Sequence, residues 1–195
     1  MSRSKIVLLA VLTLGLVVLA VRFIRSGNRE EIRPVAAGPT TPSAEAGPET
    51  AVAARRAVTI YFGREDDDKL VGEIREIPAD PSPAREAQAI MAELLKGSSE
   101  GHVAAIPSGT RLEQLFITRD GTAYVDLSRD VVAQHPSGSS AELATIYAIV
   151  NSLAANIRAV KNVFILIDGE ERETLAGHVR LNGSLRPDYS LIAKK

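Results

Sequence analysis

An uninterrupted apolar segment near the first residue constrains this 195-residue chain more than any other feature. From Ile6 to Val21 no side chain is charged, and only Thr13 and Gly15 interrupt the aliphatic character. Extended by three residues as a helix, the segment would be about 28 Å long, close to the ~30 Å hydrocarbon thickness of a bilayer. The sequence therefore predicts a transmembrane anchor within residues 1–25.

Two alternatives stay open for this anchor. A cleaved signal peptide also has a short basic region, here Arg3 and Lys5, before its apolar core, but no small-x-small cleavage site comes after the core. The orientation is open as well, because four arginines come after the segment and outnumber the two basic residues before it, against the positive-inside rule. Since short N-terminal anchors usually export the large domain on their C-terminal side, we expect an uncleaved, single-pass anchor with an extracytoplasmic C-terminal domain.

Residues 26–55 differ in composition from the rest of the chain, with four prolines, three glycines and few large apolar side chains. Such a stretch cannot bury enough surface to offset the entropy of ordering it. It therefore predicts a flexible linker, which would span on the order of 30 Å as a coil. Residues 56–195 remain for one domain with its own core.

Composition excludes several classes of protein. Because the chain contains no cysteine, it has no disulfide, thiol nucleophile, cysteine-based zinc site or lipid-modified cysteine. The formal net charge of −1 argues against nucleic-acid binding, which normally requires a basic surface. The charge is divided unevenly, since residues 1–55 carry seven basic and four acidic side chains (+3) and residues 56–195 carry sixteen and twenty (−4).

Local patterns predict an α+β domain with two layers. One helix begins at Ser82 and Pro83, which suit the cap and first position, and ends near Gly97; a second runs from Ser139 to about Ala159. Alternation, β-forming residues and turn signals predict strands at Ala57–Phe62, Leu70–Ile77, Arg111–Thr118, Thr122–Leu127 and Val163–Ile167, with a short last strand near Gly177–Leu181. Packing both helices on one face of a mixed β-sheet would bury every apolar stripe.

The second helix lacks an ordinary charged face. Ser139 and Glu142 have the spacing of a capping box, and the side opposite the large apolar residues is rich in alanine. A helix that is apolar nearly all round is either sandwiched inside its own domain or presented to another molecule. Both interpretations stay open. In the second, the interaction face consists of Ala141, Ala144, Ala148 and Ala155.

Several motifs, spread over nearly all of residues 57–186, together match a known pattern; they are Thr59–Phe62, Leu94–Gly97, Ile106–Thr110, Asp120–Ser128, Val163–Gly169 and Thr174–His178. In these motifs the domain resembles the GerMN domain, a family of bacterial envelope proteins named from a spore germination protein. The chain departs from the family pattern at Ser98, where a proline commonly succeeds the glycine, and at Asn182–Ser184. The resemblance implies a small, non-enzymatic α+β module that helps to assemble envelope complexes and is sometimes attached to cell-wall hydrolases. It also implies a likeness to the ring-building domains of secretion machines, and no catalytic residues.

Chemically reactive residue types are present but poorly placed. Asp126, Ser128, Asp130 and His135 are the types that a catalytic triad needs, but their spacing does not guarantee its geometry. We expect Asp126 and Ser128 to end a strand and to bond nearby backbone amides. The three histidines, His102, His135 and His178, lack the i, i+4 pairing of helical metal ligands. The run Asp66–Asp68 lacks the ligand spacing of a calcium loop. The sequence predicts no metal and no cofactor.

These observations are compatible with two functions from different classes. The favoured one is a membrane-tethered, non-catalytic, extracytoplasmic module that binds an envelope protein or a second copy of itself, without a small-molecule substrate or nucleic acid. The alternative is an accessory domain of a cell-wall hydrolase, or a domain that binds or hydrolyses peptidoglycan near Asp126 and His135. We expect few aromatic side chains at the surface, and sugars commonly stack on such rings, so this expectation counts against the alternative.

Overall fold

The computed structural model of the chain describes residues 54–136 and 138–194. The predicted anchor, 1–25, and all but the last two residues of the predicted linker, 26–55, lie outside the described residues. Within the described ranges, no helix combines the length and the hydropathy needed to cross a membrane.

Both main helices and the five long strands form where the sequence predicts them. In chain order the elements are β1 (Arg55–Gly63), β2 (Leu70–Pro78), α1 (Pro83–Leu95), β3 (Leu112–Ile117), β4 (Thr122–Leu127), α2 (Asp130–Ala133), α3 (Ser139–Asn156), β5 (Asn162–Ile167) and a 3-10 turn at Tyr189–Leu191. The strand predicted near Gly177–Leu181 is wrong, because this region makes only an isolated bridge between Thr174 and Arg180. The short helix α2 has no counterpart in the sequence prediction.

The strands form two sheets, so the predicted single mixed sheet is wrong. β1 and β2 pair antiparallel over their whole length, from Arg55 opposite Pro78 to Gly63 opposite Leu70. The other sheet has the order β3-β4-β5, in which β3 and β4 are antiparallel and β4 and β5 are parallel. The domain is nevertheless α+β, with mixed strand directions, as predicted.

Helix α3 explains why the sheets stay separate, because its side chains occupy the edge of β1 that faces away from β2. The amide of Thr59 donates to Oδ1 of Asn156 at 2.9 Å, and the amide of Tyr61 donates to Oγ of Ser152 at 3.0 Å. The next outward amide, that of Gly63, donates to the carbonyl of Val103 at 2.9 Å. Polar partners therefore replace a neighbouring strand, which also protects this edge from pairing with another chain.

The core lies between the sheets and the two main helices. α1 packs on β1, β2 and β3, while α3 contacts β1, α1 and β5. Alternate residues of β5 and of the middle of β1 are buried in this core. The fully buried large side chains of the domain include Ile60, Phe62, Ile90, Ile149, Leu153 and Ile165. Nine residues of α3 are buried, so the interpretation of a helix sandwiched inside its own domain is confirmed for its central turns.

The N-terminal caps of the two helices differ. α1 begins as predicted, with Pro83 first and the hydroxyl of Ser82 accepting from the amide of Arg85. The predicted capping box of α3 is wrong, since Gly138 is the cap residue and makes no side-chain cap bond. The carboxylate of Glu142 instead turns inward and accepts hydrogen bonds from the amides of His178 and Val179. These two residues belong to a loop that pairs with none of the described strands.

Replacing Asn156 with alanine tests the role of α3 at the edge of β1. The substitution removes both hydrogen bonds to the backbone of Thr59, 97 residues away, and leaves a partly buried amide and carbonyl unpaired. We expect the free energy of unfolding to fall by about 1–3 kcal/mol in urea titrations. Asn182→Ala, at an exposed loop position, is the matched control and should change it by less than about 0.5 kcal/mol. Equal effects of the two variants would contradict this role of α3.

Candidate interaction surface

An apolar groove opens between the first turns of α3 and the segment that comes after α1. Its volume is about 390 Å³, and its walls include Gly63, Val103, Ile106, Pro136, Ala141 and Ala144. A second cavity of about 480 Å³ adjoins it, shares Gly63, Val103, Ala141 and Ala144, and extends to the loop after β1. We call this combined surface the distal groove, because it lies at the C-terminal end of β1, far from Ala54.

Hydrogen bonds fix the walls of the distal groove. The backbone of Val103 exchanges two hydrogen bonds with Gly63, of 2.9 and 3.0 Å, which holds the side chain of Val103 outside the core with 48% of its surface exposed. A Cβ at position 63 would lie 3.3 Å from Cβ of Val103, so glycine permits this close approach. On the opposite wall, the hydroxyl of Thr145 donates to the carbonyl of Ala105.

The structure divides the four alanines of the predicted interaction face. Ala141 and Ala144 are half-buried and line the distal groove. Ala148 is fully buried, so it belongs to the core and not to the predicted face. Ala155 is exposed, about three turns beyond Ala144 on α3, and does not line the groove. Only the first two alanines therefore share one surface.

An acidic loop borders the distal groove. Arg64 lies 3.9 Å from a carboxylate oxygen of Asp66 and 3.6 Å from one of Asp67, and Nζ of Lys69 donates to the carbonyl of Ser190. The cations of the loop therefore have partners, while Glu65 and Asp68 make no ion pair with the residues that the structure describes. The groove is thus apolar at its floor and acidic at this rim.

The four residues considered for catalysis are engaged with their neighbours. Oδ1 of Asp126 accepts from the amide of Gly169 at 2.8 Å. The hydroxyl of Ser128 donates to Oδ2 of Asp130 at 2.9 Å and accepts from the amide of Arg111. His135 is paired with the hydroxyl of Thr145 and the carbonyl of Pro136, and no hydrogen bond joins it to Ser128 within the described ranges. The arrangement stabilises strand ends, as the spacing indicated, and does not form a triad.

A cluster that sequence reasoning missed surrounds Glu73. Ligand-type atoms of Glu73, Glu100 and His102 lie within 4.8 Å of one another. Glu73 is buried and its carboxylate already accepts from Arg75, Ser98 and Ser99. Burial raises the pKa of Glu73, but the hydrogen bonds from Ser99, Ser98 and Arg75 outweigh it and lower the pKa to about 2. Because the guanidinium of Arg75 already neutralises the carboxylate, the cluster is an internal ion pair and a poor cation site.

Three aromatic rings form a ladder on the outer face of the three-stranded sheet. Phe116, Tyr124 and Phe164 lie opposite one another on β3, β4 and β5, with centroid separations of 4.9 and 5.2 Å. Phe116 is 47% exposed, which differs from the expected shortage of aromatics at the surface. The stacking covers both faces of Tyr124 but one face each of Phe116 and Phe164, so the ladder itself leaves only the outer faces of its two end rings for a sugar to stack on. The sequence signal for this ladder was one aromatic residue at matching positions of the three strands.

The comparisons with known proteins agree with this fold. A family model, Germane, described as sporulation and spore germination, matches residues 59–173, which is more than half of the chain. This chain belongs to the Germane family. The resemblance to the GerMN domain is therefore confirmed. A search of curated proteins found no match to the chain.

Solved structures with GerMN domains share the architecture. The first GerMN domain of the sporulation protein GerM from Bacillus subtilis is 22% identical, with a TM-score of 0.51 over 67% of this chain and 97% of that one. The tandem GerMN domains of the same protein are 18% identical, with a TM-score of 0.53 over 68% of this chain and 46% of that one. A candidate lipoprotein from Clostridium perfringens is 22% identical, with a TM-score of 0.50 over 69% of this chain and 89% of that one. At these identities the likeness shows the fold.

Replacing Glu73 with glutamine should give a pH-dependent loss of stability. The folded-state pKa of about 2 lies below the ordinary 4.5, so the ionised carboxylate stabilises the fold fully above pH 4.5, and this contribution is lost as the pH falls towards 2. At pH 7 we expect Glu73→Gln to lower the free energy of unfolding by about 2 kcal/mol. Urea titrations should show the gap to the parent protein narrowing below pH 4.5. A gap that is constant with pH, or one reproduced by the exposed Glu100→Gln, would contradict this account.

Proposed function

We propose that this Germane-family chain is a membrane-tethered, extracytoplasmic and non-catalytic module that binds a protein of the bacterial envelope through the distal groove. The observation that carries the proposal is the groove itself, whose walls are small apolar side chains on hydrogen-bonded backbone. Val103 is its exposed large hydrophobic side chain among the described residues. Exposed apolar surfaces with polar rims are typical of protein interaction sites.

The chemistry of the groove favours one kind of partner. The first cavity of the groove, of about 390 Å³, suits aliphatic side chains, since Ala141 and Ala144 leave room beside Val103. Asp68, which lines the second cavity and makes no ion pair with the described residues, suits basic residues next to those side chains. We therefore propose a partner segment in which an aliphatic side chain is flanked by lysine or arginine.

The relatives support an envelope setting for this module. GerM is named as a sporulation protein and the Clostridium perfringens structure as a candidate lipoprotein. We propose that the present chain contributes to assembly of an envelope complex of the sporulation or germination type. Because its sequence contains no cysteine, the proposed tether is the apolar segment Ile6–Val21 and not a lipid on cysteine.

Replacing Ala141 with glutamate tests the groove. Ala141 lies in the first turn of α3, where the helix dipole favours a carboxylate, so the variant should fold while its charge enters the apolar groove. We expect the amount of partner crosslinked to the full chain in membranes to fall at least tenfold. Ala155→Glu makes the same change on the same helix outside the groove and should leave crosslinking unchanged. If Ala155→Glu abolishes crosslinking and Ala141→Glu does not, the proposed surface is wrong.

The hydrolase alternative makes a separate prediction. The hydrogen bonds of Asp126, Ser128 and His135 leave these groups in structural roles, so purified full chain incubated with peptidoglycan should release no soluble fragments. Binding should be equally absent, since the rings of the aromatic ladder stack on one another and only the outer faces of the two end rings are left by that stacking. Measurable turnover that disappears in Ser128→Ala or His135→Ala would overturn the non-catalytic assignment.

A further inference from the structure

Three strands, β1, β4 and β5, begin at the same end of the domain. β4 and β5 are parallel. α3 runs opposite to β1, because Tyr61 meets Ser152 whereas the earlier residue Thr59 meets the later Asn156. β5 begins six residues after α3 ends and returns past it. The N-terminal ends of β1, β4 and β5 therefore lie together, and we call this the proximal end because Ala54, where the preceding chain joins the domain, is there.

Direct contacts hold the proximal end together. The guanidinium of Arg56 donates to the carbonyl of Asn156 at 2.9 Å, which joins the start of β1 to the end of α3. The amide of Lys161 donates to the carbonyl of Gly121 at 2.8 Å, which joins the loop after α3 to the β3-β4 turn. Leu185 exchanges two hydrogen bonds, of 2.7 and 2.8 Å, with Val163 at the start of β5.

Four exposed cations are brought to the proximal end by these contacts. They come from three separate parts of the sequence, and none makes an ion pair within 4 Å among the residues that the structure describes. We call them the proximal basic patch; its members are Arg119, Arg158, Lys161 and Arg186.

The carboxylates at the same end do not neutralise the patch. Three of them are held by other cations: Glu76 by Arg55 at 3.2 Å, Glu86 by Arg56 at 2.9 Å and Asp80 by Arg85 at 2.9 Å. Two more carboxylates lie beside patch residues in the sequence. Asp120 accepts from the hydroxyl of Thr122 at 2.7 Å, and Asp188 accepts from Ser190. Four cations therefore exceed the two carboxylates not already paired with a cation.

The opposite, distal end is acidic. It carries the run Glu65–Asp68 after β1 and the group Glu170, Glu171 and Glu173 after β5. All of these side chains are exposed. The −4 charge of residues 56–195 is thus distributed unevenly, with positive charge concentrated where the preceding chain joins.

We propose that the proximal basic patch docks the domain on the anionic phospholipid surface of the membrane to which the chain is tethered. The inference rests on the tether of the proposed function. The proposed tether precedes Ala54, so the proximal end is the end of the domain attached to it. Each cation that comes within a Debye length of an anionic surface is attracted to that surface. Docking in this orientation turns the acidic end and the distal groove away from the lipid, towards a partner.

Lipid nanodiscs containing the full chain test the proposal. The chain has no native cysteine, so Ala159→Cys places a single dye beside the patch and Glu171→Cys places one at the distal end. The discs contain phosphatidylcholine alone or phosphatidylcholine with phosphatidylglycerol. At low salt we expect the dye at position 159 to be protected from aqueous acrylamide only in the anionic discs, and high salt to remove the protection. The dye at position 171 should be quenched equally everywhere.

Matched charge variants identify the cations responsible. Arg158→Gln with Lys161→Gln should shift the docking equilibrium roughly tenfold towards the free state. Arg172→Gln with Arg180→Gln removes the same charge from exposed distal positions and should leave the equilibrium unchanged. Equal effects of the two pairs of substitutions would contradict docking through the proximal basic patch. Equal quenching of the dye at position 159 in both lipid mixtures would contradict it as well. If soluble polyphosphate protected the dye at position 159 and the anionic discs did not, the patch would bind phosphate groups but not the membrane, and the proposal would be wrong.

The same samples separate this inference from the tether. If the chain co-elutes with both kinds of disc but the dye at position 159 shows no lipid-dependent protection, the tether is supported and docking through the patch is contradicted. Co-elution with anionic discs alone, lost at high salt, would overturn the tether and support the patch. A chain that co-elutes with neither disc would overturn both.

Discussion

The polar side chains of α3 that bond distant backbone are the constraint on which the rest of the domain depends. Asn156 and Ser152 bond the edge of β1, Asn151 bonds both backbone groups of Asp188, and Glu142 bonds the loop at His178 and Val179. Each of these pairs joins α3 to a segment at least 36 residues away in the sequence. A buried backbone group left unpaired costs about 1–3 kcal/mol, so one helix supplies the partners that neighbouring strands supply in an ordinary sheet.

Local signals were sufficient to predict the two main helices and the five long strands, but not how these elements associate. Ser82 and Pro83 mark the start of α1, and Asp120-Gly121 marks the β3-β4 turn, because these effects act within a few residues. The separation into two sheets depends on Asn156 reaching Thr59, 97 residues away, and no local pattern contains that contact. Glu142 shows the same limit, since its spacing from Ser139 suits a capping box while its carboxylate is used by a loop 36 residues later.

The candidate surface was predictable only in part for the same reason. Alanine content identified α3 as unusual, and Ala141 and Ala144 do line the groove. Periodicity could not show that Ala148 is in the core, because the polar residues beside it, Asn151 and Ser152, are themselves buried. Val103 was missed, since its exposure results from backbone pairing with Gly63, 40 positions earlier.

Charge and apolar surface are placed so that the two ends of the domain differ chemically. The residues that could suggest catalysis hold strand ends, and the rings of the aromatic ladder stack on one another. The accessible features are a basic patch where the preceding chain joins and an apolar groove at the acidic far end. In the function proposed for this member of the Germane family, this polarity lets one end face the lipid and the other end face a partner.

Native-state hydrogen exchange tests most directly whether α3 holds these segments. If it does, the amides of Thr59, Tyr61, Val179 and Asp188 become exposed only when α3 itself opens. Their opening free energies should then agree with that of Ile149 in the middle of α3 to within about 1 kcal/mol. Exchange of these four amides through separate openings, each several kcal/mol easier than that of Ile149, would contradict the central role of the helix.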